Sequence, residues 1–180
     1  MMTVEEIFSN ITDRMIKGLM VHDQLANYYD FLGLQGYKKC HECHYFKENE
    51  TYRKTYHYYV KKYNRLLPET RFDNPNIIPS SWYQYNRQDV DRNTKQKAVE
   101  DGLNKWVKWE GGTLQLYQSM YKELIEIGEI AAATYVMYHL IKDVSEELMT
   151  AEKYQLNKNA TGYDLTSIIE EQKPLHKKYK

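Results

Sequence analysis

The sequence predicts an all-α protein, a four-helix bundle with one long crossover between its second and third helices. Three observations carry that expectation. Four stretches of about 25–36 residues place apolar side chains at three-to-four spacing, the period of a helix with one buried face. Helix and sheet breakers are scarce: eight Gly and four Pro in 180 residues disfavour a turn-rich β-sandwich or barrel. Between the second and third stretches, Leu67 to Asp91 shows no clear period, whereas the other links are short. Short links force antiparallel neighbours. A link of about 25 residues spans the bundle and lets the second and third helices run parallel.

The first helix is expected from Thr3 to about Leu32, with Ile7, Ile11, Met15, Leu19, Leu25, Tyr29 and Leu32 recurring along it. Gly33 and Gly36 punctuate its end. The second is expected from Tyr37 to Leu66, with Tyr45, Tyr52, Tyr56, Tyr59 and Tyr63 forming a heptad-like seam. Pro68, Asp73-Asn74-Pro75-Asn76 and Pro79-Ser80-Ser81 mark the crossover. The third starts within Arg92–Gly102 and reaches Ile127, with Leu103, Trp106, Glu110, Tyr117, Tyr121 and Leu124 on its buried face. Gly111-Gly112 in its middle, at roughly 1 kcal/mol per Gly against Ala, marks a place for a kink. After Gly128 the fourth runs from Glu129 to about Asn157, with Met137, Leu140, Ile141, Val144, Leu148 and Ala151 as its core stripe. Asp164–Ile169 could add a short turn or helix. The bundle is expected over residues 1–170 and a basic tail over 171–180.

Composition narrows the function classes. Twenty-five Lys+Arg against 25 Asp+Glu give no net charge, a poor match to a strongly basic nucleic-acid binder or an acidic disordered tail. No run approaches the roughly 18–20 apolar residues of a membrane span. The acidic start, Met1-Met2-Thr3-Val4-Glu5-Glu6, lacks the pattern of a secretory signal, and two cysteines cannot make a disulfide scaffold. The expectation is a reduced, cytoplasmic protein. Its 18 tyrosines lower the mean hydropathy of a chain that still packs.

Glu110 stands out, because Leu103, Trp106, Tyr117 and Tyr121 place it on a buried face. A buried carboxylate needs a cation, a proton or hydrogen bonds; a metal and a tyrosine hydroxyl are equally open as its partner. On the fourth helix His139, Asp143 and Glu146 share a face beside the core stripe, suited either to a divalent cation or to solvent. His22 and Asp23 on the first helix are similar candidates. On the second, Glu48 stands one turn from both Tyr45 and Tyr52. Cys40-His41-Glu42-Cys43-His44 matches the C-x-x-C-H pattern of haem attachment, but a pair of half-buried thiols is the simpler reading.

From Trp106 onward the chain resembles the second half of the ferritins. Trp109-Glu110 stands where ferritins carry a ligand glutamate on the third helix. Asp143-Val144-Ser145-Glu146-Glu147 resembles their Gln-x-x-Glu segment, and Gly162-Tyr163-Asp164-Leu165 the turn that follows it. Tyr29 through His41-Glu42, with Gly33 and Tyr37, resembles the His-Trp…Gly…Phe…His-Glu stretch of DNA-protecting mini-ferritins. The ferritin Glu-x-x-His of the second helix corresponds here to Glu48 and Thr51, or to Glu50 and Arg53. The first-helix glutamate corresponds to His22 or Asp23. In the mini-ferritin register the first histidine is Tyr29 and the second survives as His41.

The resemblance implies a ferritin-like four-helix bundle handling iron or another divalent metal, with Glu110, Glu146, Asp143, Glu48 and His22 as ligands or shell. An intact site of that kind would oxidise Fe(II); the altered ligand positions leave open a bundle that serves as a structural or interaction module. The resemblance also implies a homo-oligomer, and DNA contact through Lys173, Lys177, Lys178 and Lys180 of the tail, which charge alone reads as solvated.

Overall fold

A computed structural model of the chain describes residues 1–68, 75–80, 82, 85–162 and 170. The architecture is an all-α four-helix bundle. Helix α1 spans Val4–Phe31 and begins at a capping box, in which the Thr3 hydroxyl accepts the Glu6 N–H at 3.2 Å and the Glu6 carboxylate accepts the Thr3 N–H at 2.7 Å. Gly33, at φ +77°, turns the chain into α2, Gln35–Tyr63. Helix α2 ends at Tyr63, three residues short of its expected end at Leu66, with Asn64 in the left-handed conformation as its cap. A 3-10 turn at Arg87–Asp89 precedes α3, Arg92–Glu126, whose first turn is capped by Asp91 accepting the Thr94 N–H at 2.7 Å.

The fourth helix of the bundle has three parts. Helix α4, Ile130–Val136, passes into a π-helical segment, Met137–Ile141, and continues as α5, Lys142–Thr161. It ends four residues beyond the expected Asn157. The expected turn or helix at 164–169, Tyr163 to Leu165, Asp73-Asn74 and the basic tail lie outside the described residues.

Contacts between helices fix the directions. Phe8 near the start of α1 packs on Tyr58 and Tyr59 near the end of α2, while Tyr29 stacks on Tyr37, so α1 and α2 are antiparallel. Arg14 reaches Thr113 and His22 reaches Glu110, which makes α1 and α3 antiparallel too. Helices α2 and α3 are therefore parallel, as a bundle-length crossover requires. The described part of that crossover is fastened to α1: the Ile77 N–H donates to Gln24 Oε1 at 2.6 Å and Trp82 packs edge-on against Tyr28.

Helix α3 runs unbroken through Gly111-Gly112. At Gly112 the missing side chain admits Arg14, whose Nη2 would stand 3.1 Å from an added Cβ. The Arg14 guanidinium lies 3.4 Å above the Trp109 ring and donates to the Trp109 carbonyl.

The interior has two apolar blocks. One gathers Ile7, Phe8, Ile11, Met15, Tyr117, Leu124, Ala132, Val136 and Leu140. The other gathers Val21, Leu25, Tyr29, Tyr37, Val99, Leu103 and Trp106. Among the described residues no helix is long and apolar enough to cross a membrane.

Candidate metal centre

Between the two blocks lies a belt of buried polar side chains drawn from all four helices. Helix α1 supplies His22; α2 supplies His41, His44 and Glu48; α3 supplies Glu110; α5 supplies Glu147. On α2 the three lie at positions i, i+3 and i+7, one helix face. The belt replaces apolar volume that would have packed without penalty, and each of its groups gives up hydration to be there.

His22 occupies the middle. Its Nδ1 lies 3.1 Å from Nδ1 of His41, its Nε2 lies 3.3 Å from Glu110 Oε1, and its ring stacks on His44 at a 5.1 Å centroid distance. The Trp106 indole N–H donates to the same Glu110 oxygen at 3.1 Å, which fixes that carboxylate's orientation. Glu147 Oε1 is 3.5 Å from His44 Nδ1 and accepts from Lys47 Nζ at 2.7 Å. Glu48 lies against α1, where Gly18 makes room: a Cβ there would stand 2.9 Å from Glu48 Oε1.

The electrostatics follow from burial and neighbours. Burial, and then the charges of His22 and His44, push His41 well below the usual imidazole range and keep it neutral. Burial would also pull His44 down, but its hydrogen bonds to Cys40 and Glu147, with their charges, raise it instead. Burial would raise Glu147, yet His44 and Lys47 hold it below the ordinary carboxylate range. Burial and the charges of Glu147 and Glu110 push Glu48 well above that range. Glu147 is the belt's secured anion; Glu48 needs a cation before it ionises readily.

These residues fit a metal ion. His22, His44 and Glu147 each offer a ligand atom, all within 4.8 Å of one another. Two donors on one ion at about 2.1 Å stand no more than about 4.2 Å apart, so small side-chain rotations close the set. Among the described residues, the Nε2 atoms of His41 and His44 and Oε2 of Glu110 are buried without a hydrogen-bond partner. Each such atom costs about 1–3 kcal/mol if left unpaired. Three imidazoles with carboxylates suit a borderline divalent ion such as iron(II), zinc or cobalt better than calcium or magnesium, which take all-oxygen shells.

Of the residues expected from the sequence, His22, Glu48 and Glu110 come together in the belt. Asp143 is half-buried at its rim, 3.9 Å from Lys47, while Glu146 and His139 are exposed. The inward line of this helix is its apolar stripe, Leu140, Val144 and Ala151, whose spacing brings Glu147 inward three residues after Val144, while Glu146 and His139 fall beside that line. His41 and His44, read from the sequence only within the cysteine motif, form the inward line of α2 with Glu48. Their i, i+3 spacing followed by a carboxylate at i+7 was the available signal. Of the tyrosine seam only Tyr59 is fully buried. Cys40 is buried and Cys43 half-buried, both as free thiols.

A four-helix bundle with one long crossover between its second and third helices is the ferritin-like fold. The chain is similar along almost its whole length to solved ferritin structures. An open-pore ferritin from the hyperthermophilic archaeon Archaeoglobus fulgidus superposes with a TM-score of 0.78 at 13% identity, covering 98% of both chains. A humanized archaeal ferritin gives 0.76 at 13% identity, again over 98% of both. An engineered closed form of the Archaeoglobus fulgidus ferritin gives 0.73 at 12% identity, over 98% of this chain and 97% of that one. Neither a protein-family model nor a curated protein matches the sequence. At such identities the likeness establishes the fold.

Proposed function

We propose that the chain is a ferritin-like protein that binds a divalent transition metal, with iron as the leading cargo, in the histidine–carboxylate belt. One observation carries the reading: donor atoms of His22, His44 and Glu147 converge within 4.8 Å, where His41 Nε2 and Glu110 Oε2 lack hydrogen-bond partners among the described residues. The chain's residues divide the work. His41, held neutral, is ready to ligate; Glu147, held ionised, supplies the fixed negative charge; Trp106 orients Glu110; and Glu48 yields its proton as positive charge arrives. Oxidation of Fe(II) by oxygen or peroxide is the chemistry such a site supplies when loaded. Assembly into a homo-oligomer and a cytoplasmic setting belong to the same reading, supported by the fold likeness and the two free thiols.

A second reading has support of its own. Lys47 and His44 already give Glu147 positive partners, as a bundle stabilised without metal would require. Anaerobic Fe(II) loading, desalting and elemental mass spectrometry separate the two. The metal reading expects about one or two irons per chain, lost in Glu110→Gln. No stoichiometric metal in either protein would make the bundle a structural or interaction module.

A further inference from the structure

A cleft with charged walls reaches the belt from solvent. Between α2 and the π-helical segment a cleft of about 20 Å³, room for about one water or small ion, is lined by Lys47, Glu48, Thr51, His139, Asp143 and Glu147. His139 and Asp143 stand at its outer end; Glu48 and Glu147, both buried, form its floor. Lys47 bridges the two levels. Its side chain is 44% exposed, its ammonium lies 2.7 Å from Glu147 Oε1 on the floor, and Asp143 Oδ2 at the rim is 3.9 Å away.

We propose that Lys47 is a built-in competitor for the metal: its ammonium occupies Glu147 until an ion entering through this cleft displaces it toward Asp143. The inference rests on the metal reading above and adds its regulation. The reason is a shared ligand atom. A metal bound to Glu147 Oε1 at about 2.0–2.2 Å, with Lys47 still on that oxygen, would stand no more than about 4.9 Å from the ammonium. Two positive charges that close, shielded by a bundle interior, repel strongly. Lys47 has somewhere to go: the stem is half in water and Asp143 offers a second carboxylate one helical turn from Glu147. His44, buried beside the same oxygen, has no comparable exit, so it gives up its proton to solvent and ligates as neutral imidazole while Lys47 yields its place.

An opposite arrangement is chemically possible and gives the experiment its edge. Were the metal to use only Glu147 Oε2, Lys47 on Oε1 would orient the carboxylate, and removing it would weaken binding. The test is Co(II) titration of the full chain, followed by visible absorption and checked by displacement with Zn(II), on the unaltered protein, Lys47→Gln, Lys47→Met and a Lys54→Gln control. Lys54 lies on the same helix and, among the described residues, its ion pair is with exposed Glu50 at 2.6 Å, so Lys54→Gln removes the same charge from the same helix without touching the belt.

Both Lys47 variants are expected to bind cobalt about tenfold more tightly, the weight of one lost charge-assisted hydrogen bond, with Lys54→Gln unchanged. Stoichiometric cobalt bound with equal or weaker affinity in the Lys47 variants overturns the competitor role and leaves the metal reading standing. Equal tightening by Lys54→Gln also overturns it, since general charge would then be responsible. No stoichiometric cobalt in any variant overturns the metal reading and this inference with it.

Discussion

The two apolar blocks and the belt between them are built from the same four helices and obey opposite rules. In the blocks, side chains such as Phe8, Leu103 and Leu124 are fully buried and their contribution grows with the area removed from water. In the belt, His22, His41 and Glu110 are buried just as deeply and Glu48 nearly so, and lost hydration counts against each of them. Well-packed apolar residues of similar volume would serve stability as well or better. A bundle that keeps six titratable groups at its centre is organised around something other than its own stability, and a cation held there offsets the cost.

That contrast can be broken by substitution, most severely in the blocks. Trp106→Ala removes the largest fully buried side chain and leaves Glu110 Oε1 without its indole donor; it is expected to destabilise by about 3–5 kcal/mol in denaturant melts. A loss below about 1 kcal/mol would mean that the block is loosely packed and the contrast is false.

Glu147→Gln comes next. It strips the counter-charge from His44 and Lys47 and is expected to cost about 1–3 kcal/mol at neutral pH. The sign with pH follows from linkage. Glu147 titrates lower folded than unfolded, so its stabilisation is present above the ordinary value of 4.5 and is lost as pH falls through its depressed one. His44 titrates higher folded, so its share is full below 6.5 and is lost as pH rises toward about 10. Melts across that range should therefore show the variant's deficit shrinking at both acid and alkaline ends.

Glu48→Gln should move stability the other way. Glu48 keeps its proton longer in the fold than in the unfolded chain, so the unaltered protein loses stability as pH rises above 4.5. The variant should lose less over the same interval and melt higher at pH 7 without metal; a lower melt would show that ionised Glu48 is well paired.

The smallest effect sharpens the comparison at two glycines. At Gly111 a new Cβ meets nothing within 4 Å, and Gly111→Ala should stabilise by about 0.5–1 kcal/mol through helix propensity. The same change at Gly18 drives a Cβ to 2.9 Å from Glu48 Oε1 and should lose that gain, with displaced Glu48 as the cause. Equal gains at both sites would show that Glu48 is free to move.

The fold was legible because bundles announce themselves through spacing and punctuation. Ile7, Ile11 and Met15 keep helical period, Gly33 and Gly128 stand at positive φ between helices, and the gap after α2 dictates the parallel α2–α3 pair. The centre was half legible. Glu110 shows itself because Trp106 and Tyr117 flank it on an apolar face. Glu147 lies on the apolar line of Leu140, Val144 and Ala151, but the i, i+3 pair Asp143 and Glu146 points to the face beside it. On α2 the buried line is itself polar, His41, His44, Glu48 and Thr55, so a search for apolar stripes finds the tyrosines beside it.

Anomalous diffraction from cobalt-soaked crystals of the full chain tests the central claim most directly. The account predicts a peak inside the bundle among His22, His44 and Glu147, with Lys47 withdrawn from Glu147. Peaks confined to surface carboxylates, with the belt's side chains unmoved, would contradict it.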